Sequence, residues 1–181
     1  MGELVQKTAA ASAVQVAAEV RQYLTFSLGG EMFAVGILNV KEIIEYGHLT
    51  EIPMMPAFIR GVINLRGAVV PVIDLAARFG GQPTQVGRRS CVIIIEIADG
   101  DTTQDIGVLV DSVSAVLDIP DSEIEPPPAF GAKIRTDFIE GMGKISGKFV
   151  IILNVQQVLS VEEMTLLSNL GQGSDLPALA N

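Results

Sequence analysis

The 181-residue chain is 49% hydrophobic, with a mean hydropathy of +0.44 and a formal net charge of −9. No apolar run approaches the roughly 18 residues that span a bilayer, which argues against direct membrane insertion. An acidic chain with no basic run suits neither nucleic acid nor anionic lipid, so the excess apolar surface belongs in a large core or against protein partners.

Residues 1–19 are rich in Ala, Val and Gln and are expected to form a flexible N-terminal segment. They lack the basic start and continuous apolar centre of a secretory leader, so a cytoplasmic protein is expected. Val20–Val35 carries a hairpin signal. Tyr23, Phe26 and Leu28 belong to one strand, Met32, Phe33 and Val35 to the next, and Gly29-Gly30-Glu31 to the turn. Ile37, Val40, Ile43 and Ile44 recur at spacings of three and four, which predicts one or two helical turns. Ile52-Pro53-Met54-Met55-Pro56 reads as an extended connector, because each proline disfavours helix before it.

Phe58–Leu75 presents two β-branched runs around Asn64-Leu65-Arg66-Gly67, which predicts a second hairpin with Gly67 at a positive-φ position. Pro71 cannot donate to a ladder and places its strand at an edge or a bulge. Arg66 puts a guanidinium at the hairpin tip, where it is either a partner contact or a solvated turn residue. Leu75–Phe79 reads as a helical turn ended by Gly80-Gly81.

Cys91–Ile97 is a strand, Asp99–Asp105 a polar hairpin tip and Ile106–Val110 the returning strand. The lone cysteine, Cys91, excludes an internal disulfide and fits a reducing compartment. Val113, Val116 and Leu117 continue as Val40, Ile43 and Ile44 do, and Pro126-Pro127-Pro128 is a stiff connector. Phe138–Val155 is another version of the Phe58–Leu75 hairpin. Val158, Leu159, Val161, Met164, Leu167 and Leu170 predict a C-terminal helix over about 156–170, and 171–181 is expected to be a flexible tail.

The second half repeats the first. Shifted by 73 positions, Val35, Ile37, Val40, Ile43 and Pro53 fall on Val108, Val110, Val113, Val116 and Pro126. Shifted by 80, Phe58, Ile59, Gly61, Gly67 and Leu75 fall on Phe138, Ile139, Gly141, Gly147 and Val155. Matches that include Gly and Pro indicate an internal duplication of a unit of about 70 residues. Short strands with regular turns predict two small closed β-barrels, about 20–87 and 88–155.

No constellation carries chemistry. His48 and Cys91 are the only residues of their kinds; Cys91 heads an apolar strand and reads as a small core hydrophobe. They cannot build a soft-metal site. Asp99, Asp101 and Asp105 lack the acid that a calcium loop needs at its twelfth position, which is Val110. Gly143–Lys148 has the wrong spacing for a phosphate loop, and Gly141-Met142-Gly143 falls in a hairpin. Glu162-Glu163 and the Asp118, Asp121, Glu123 and Glu125 group read as solvated acids. Arg88-Arg89 is the only adjacent basic pair, and there is no Trp to stack a base. No cofactor, metal or catalytic residue is assigned, and a duplicated apolar module without a reaction centre is expected to bind other proteins.

Pro56-Ala57-Phe58-Ile59-Arg60-Gly61-Val62-Ile63-Asn64-Leu65-Arg66-Gly67, followed by Val70-Pro71-Val72-Ile73-Asp74-Leu75, resembles the CheW family of bacterial chemotaxis coupling proteins. Ile106–Val113 and Glu123–Pro128 support the resemblance, which runs from about Gln22 to Met164. It implies a CheW-like domain over 20–165 with two SH3-like five-stranded barrel subdomains, short helices and a C-terminal helix. It also implies a non-enzymatic adaptor between the cytoplasmic tip of methyl-accepting chemoreceptors and the regulatory domain of the histidine kinase CheA. Such an adaptor works at receptor arrays on the inner face of the membrane. An adaptor of a CheA-type kinase in motility or gene regulation is the alternative. By resemblance, receptor contact involves Glu42, Arg66, Gly107 and Val113, and kinase contact Val40, Gly61, Ile63 and Leu65. Asn154 stands in the second repeat where the first has Asp74, so an acid-dependent contact there is not carried over.

Overall fold

A computed structural model describes residues 19–127 and 135–160. The expected N-terminal segment up to residue 18, Pro128, the tail and all but the start of the helix expected over 156–170 lie outside the described residues.

Among the described residues, eleven strands and two short α-helices follow one another as β1 (Val20–Leu28), β2 (Glu31–Gly36), β3 (Val40–Glu45), β4 (Ile59–Leu65), β5 (Ala68–Asp74), α1 (Leu75–Arg78), β6 (Cys91–Asp99), β7 (Thr102–Val110), β8 (Ser112–Pro120), β9 (Ile124–Glu125), β10 (Ile139–Ile145), β11 (Lys148–Leu153) and α2 (Val155–Val158). One sheet runs β3-β6-β7-β5-β4 and the other β8-β1-β2-β11-β10-β9. They form two SH3-like subdomains, the first built on β3–β7 and the second on β1, β2 and β8–β11.

The duplication is present in three dimensions, but the division near residue 87 does not separate the subdomains. Each leading hairpin joins the other repeat's sheet. β2 lies parallel to β11 through Phe33–Ile151 and Ala34–Ile152, and β7 lies parallel to β5 through Val72–Gly107 and Ile73–Val108. Antiparallel ladders from β1 to β8 and from β3 to β6 complete the exchange. Self-similarity shows which segments are alike; it does not show which copy each one pairs with.

Three apolar clusters result. Val70, Val72, Val92, Ile94 and Leu109 fill the first subdomain, and Tyr23, Ala34, Ile119, Val150 and Ile152 the second. Between the sheets lies a larger cluster containing Phe26, Phe33, Ile73, Ile93, Ile95, Val108, Phe138 and Leu153. Alternate residues of β6 therefore enter different cores, which accounts for its unbroken apolar sequence. Phe26, Phe33, Phe79 and Phe138 run as a ladder of ring contacts 5.6–6.0 Å apart between the sheets. The buried Arg78 lays its guanidinium on Phe138 and donates from Nε to the Val158 carbonyl at 2.9 Å, tying α1 to α2.

Local expectations are corrected in four places. The helical turns read over Ile37–Ile44 are a single 3-10 turn, Ile37–Asn39, followed by strand β3, and Val113–Leu117 lies in β8. The reason is a bulge. Lys41 is unpaired between Val40–Ile95 and Glu42–Ile94, and Ser114 is unpaired between Val113–Phe26 and Ala115–Thr25. One extra residue interrupts the two-residue alternation and mimics a helical spacing. The polar tip is also shorter than read, because β6 and β7 reach Asp99 and Thr102 around Gly100-Asp101. Met54, at φ 65°, puts a turn into the Ile52–Pro56 connector, which is therefore not extended throughout. Pro71 lies on an interior strand. Val62 exchanges both backbone bonds with Thr50, so its pairing with Pro71 needs none, and the ladder from β5 to β7 begins only at Val72.

Candidate functional site

The β4–β5 hairpin closes through Arg66-Gly67, with φ of 53° and 87°. Positive φ at both central positions is the type I′ arrangement that suits a twisted hairpin. Asn64 accepts from the Gly67 N–H at 2.9 Å. This turn sends Arg66 back over β3, where its Nη2 donates to Glu42 Oε2 at 2.6 Å. The Arg66 side chain is 75% exposed and that of Glu42 25% exposed. The guanidinium is thus pre-oriented by one carboxylate while most of its surface faces water.

Beside this pair, the bulged Lys41 reaches Asp105 at 3.0 Å and Glu96 at 3.5 Å. The hydrogen bond to Asp105 is the main cause that raises the Lys41 ammonium above its ordinary value. Lys41, Glu96 and Asp105 are absent from the residues that the resemblance implies; Lys41 is a bulge residue, and its ionic contacts are not readable from sequence spacing. Together β3 and the tips of two hairpins present two cations and three carboxylates. Exposed Ile43 and Val69 lie on the same strands, β3 and β5.

The other candidate residues occupy different environments. Glu42, Ile94, Gly107 and Val72 sit opposite one another across four strands. Gly107 is buried there, and a Cβ would fall 2.7 Å from a Val92 methyl. Gly61 is buried at φ 152°, and a Cβ would overlap the Thr50 carbonyl. Neither glycine offers a side chain; each sets how closely strands approach. Val40 and Val113 are counterparts in the two repeats, both half-buried against the central cluster. Ile63 and Leu65 are half-buried against the core of the first subdomain.

Elsewhere, Cys91 Sγ lies 3.3 Å from the Arg89 carbonyl. Among the described residues no group of His, Cys, Asp or Glu is placed to hold a metal ion, and no helix is long and apolar enough to cross a membrane.

Comparison with known proteins agrees with this architecture. The family model for the CheW-like domain matches residues 22–163. Chemotaxis protein CheW of Klebsiella aerogenes is 35% identical over 152 residues, covering 84% of this chain and 89% of that protein. A probable chemotaxis protein CheW of Rhizobium etli is 34% identical over 143 residues, covering 79% and 90%. The crystal structure of the scaffolding protein TtCheW from Thermoanaerobacter tengcongensis superposes with a TM-score of 0.70 at 38% identity, covering 77% of this chain and 88% of that one.

Proposed function

We infer the role of this chain from one premise: it belongs to the CheW-like domain family, and it is a non-enzymatic scaffold of chemotaxis signalling. It ties the cytoplasmic tips of chemoreceptors to the regulatory domain of a CheA histidine kinase, at arrays on the inner face of the membrane. Coupling then consists of holding receptor and kinase so that the receptor's state biases the kinase. The observation that carries this reading is the family match, which spans nearly all of the two described subdomains.

The receptor face is assigned to Glu42, Arg66, Gly107 and Val113. Arg66 and Glu42 supply direct polar contact. The placement of Gly107 and Val113 supports an indirect part, through strand spacing and through the packing between subdomains. The kinase face is assigned to Val40, Gly61, Ile63 and Leu65, with Gly61 acting through the backbone it allows.

Arg66→Ala tests this assignment. An exposed ion pair contributes at most about 1 kcal/mol, so the variant is expected to remain folded with its stability within that range. In co-sedimentation with receptor cytoplasmic fragments, its affinity is expected to fall by about tenfold or more, while binding to an isolated kinase regulatory domain stays nearly unchanged. Equal receptor binding by the folded variant and wild type contradicts the receptor-face assignment.

A further inference from the structure

Shifted by 80 positions, Phe58 falls on Phe138 and Arg78 on Val158, so these four residues are two copies of one pair. All four come together where the subdomains meet. The Arg78 guanidinium lies 5.4 Å from the Phe58 ring centre and 4.7 Å from that of Phe138, and its Nε donates to the Val158 carbonyl at 2.9 Å. The contact is symmetric in position and asymmetric in chemistry. α1 brings a buried cation, whereas α2 brings a buried aliphatic side chain and a carbonyl at its C-terminal end.

Packing alone does not account for the arginine. Val158, 1% exposed, shows that the same position of the unit accepts an apolar side chain. Taking a guanidinium out of water is costly, and an apolar residue of similar volume often serves stability as well or better. What an apolar side chain lacks is direction. Contacts among aliphatic and aromatic side chains hold the central cluster, and they resist separation of the subdomains more than sliding of one over the other. A planar guanidinium laid on two rings, with an N–H aimed at a backbone oxygen, fits a single relative setting.

We propose that Arg78 is a positioning residue that fixes the setting of the two subdomains relative to each other, and through it the shape of the receptor face. The link to the receptor rests on the inferred scaffold role. The residues assigned to the kinase lie on the first subdomain alone, in β3 and β4. Those assigned to the receptor span both, with Glu42, Arg66 and Gly107 on the first and Val113 on β8 of the second. A change of setting therefore alters the receptor face and leaves the kinase face intact.

The test uses the full chain with Cys91→Ala, which removes the lone thiol, and spin labels on Ala68→Cys and Lys148→Cys, exposed counterparts on β5 and β11. Pulsed electron–electron distance measurement is expected to give one narrow distribution when Arg78 is present. In Arg78→Met the distribution is expected to widen, or to move by more than the parent's width. Circular dichroism and the urea midpoint are expected to stay close to the parent's, because loss of a buried charge offsets loss of one hydrogen bond. Arg78→Lys keeps the charge without the planar fork and is expected to change the distance in the same sense. Without labels, folded Arg78→Met is expected to bind receptor fragments at least about threefold more weakly, and the kinase regulatory domain as wild type does. Distributions in both variants equal to the parent's overturn the proposal whatever the midpoints, as does a broad distribution in the parent. Failure of both variants to fold also overturns it, since Arg78 then serves stability. A loss shared equally by receptor and kinase overturns the link to the receptor face. Wild type that binds no receptor fragment contradicts the scaffold role instead, and the distance measurement, made without partners, stands apart from it.

Discussion

Gly61→Ala is expected to abolish the stable fold, with a loss of about 4 kcal/mol or more. Two costs coincide at this position. A φ of 152° is a conformation that side chains rarely adopt, and the added Cβ would overlap the Thr50 carbonyl and crowd Leu49 Cγ at 3.1 Å. Thr50 cannot step aside freely, because it exchanges backbone bonds of 2.9 and 2.8 Å with Val62. That bridge joins the segment after β3 to the edge strand β4, so the clash opens the first subdomain. Gly67→Ala is the control. Gly67 has φ 87° but no atom within 4 Å of its would-be Cβ, so its loss is expected to be only about 1 kcal/mol. Urea denaturation followed by circular dichroism distinguishes the two. Equal midpoints would show that the close approach at Gly61 is not what holds this bridge. A binding defect in a bulky Gly61 variant therefore says nothing about partner contact unless the fold is shown to survive.

Asp74→Ala is expected to cost about 3–5 kcal/mol. Asp74 is 0% exposed and ends β5. Its carboxylate accepts from the Thr84 N–H at 2.8 Å, the Thr84 hydroxyl at 2.9 Å and the Ala77 N–H at 3.3 Å. Arg60 Nη1 lies 3.6 Å away. One side chain thus caps α1, fixes the loop after it and neutralises a partly buried cation. Alanine leaves the buried Thr84 donors without their acceptor and removes the partners of the Ala77 N–H and of the partly exposed Arg60. Asp74→Asn is expected to cost roughly 1–2 kcal/mol, because an amide oxygen can still cap. The molecule contains that solution already: Asn154 caps α2 by accepting from the Gln157 N–H at 3.3 Å. A denaturation midpoint for Asp74→Ala equal to that of Asp74→Asn would contradict the weight given to the capping hydrogen bonds.

The hairpins were legible because their causes are local. Gly29-Gly30 and the Asn64…Gly67 pair are turn signals, and apolar runs flank them on both sides. Recurrence of Gly and Pro at matched spacing made the duplication visible. The exchange of leading hairpins was not legible, because it rests on two short parallel ladders between residues far apart in the chain. The bulges at Lys41 and Ser114 disguised two strands as helical turns, and they also hid the ionic cluster that Lys41 builds. Arg66 stood out as a charge at a tip, and the resemblance put Glu42 beside it functionally. Their direct contact across 24 residues of sequence appeared only in three dimensions. For Gly61 and Gly107 the residue type signalled a backbone requirement, but not that both are buried and set the distance between strands.

Receptor control of a CheA-type kinase, reconstituted from purified receptor fragments, kinase and this chain, tests the central claim most directly. Kinase autophosphorylation is measured with and without the chain, and with and without receptor. The scaffold role predicts that folded wild type makes kinase activity follow receptor presence, and that it has little effect when receptor is left out. If folded wild type joins neither partner and leaves the response unchanged, this chain does not couple these partners, and its two subdomains serve others.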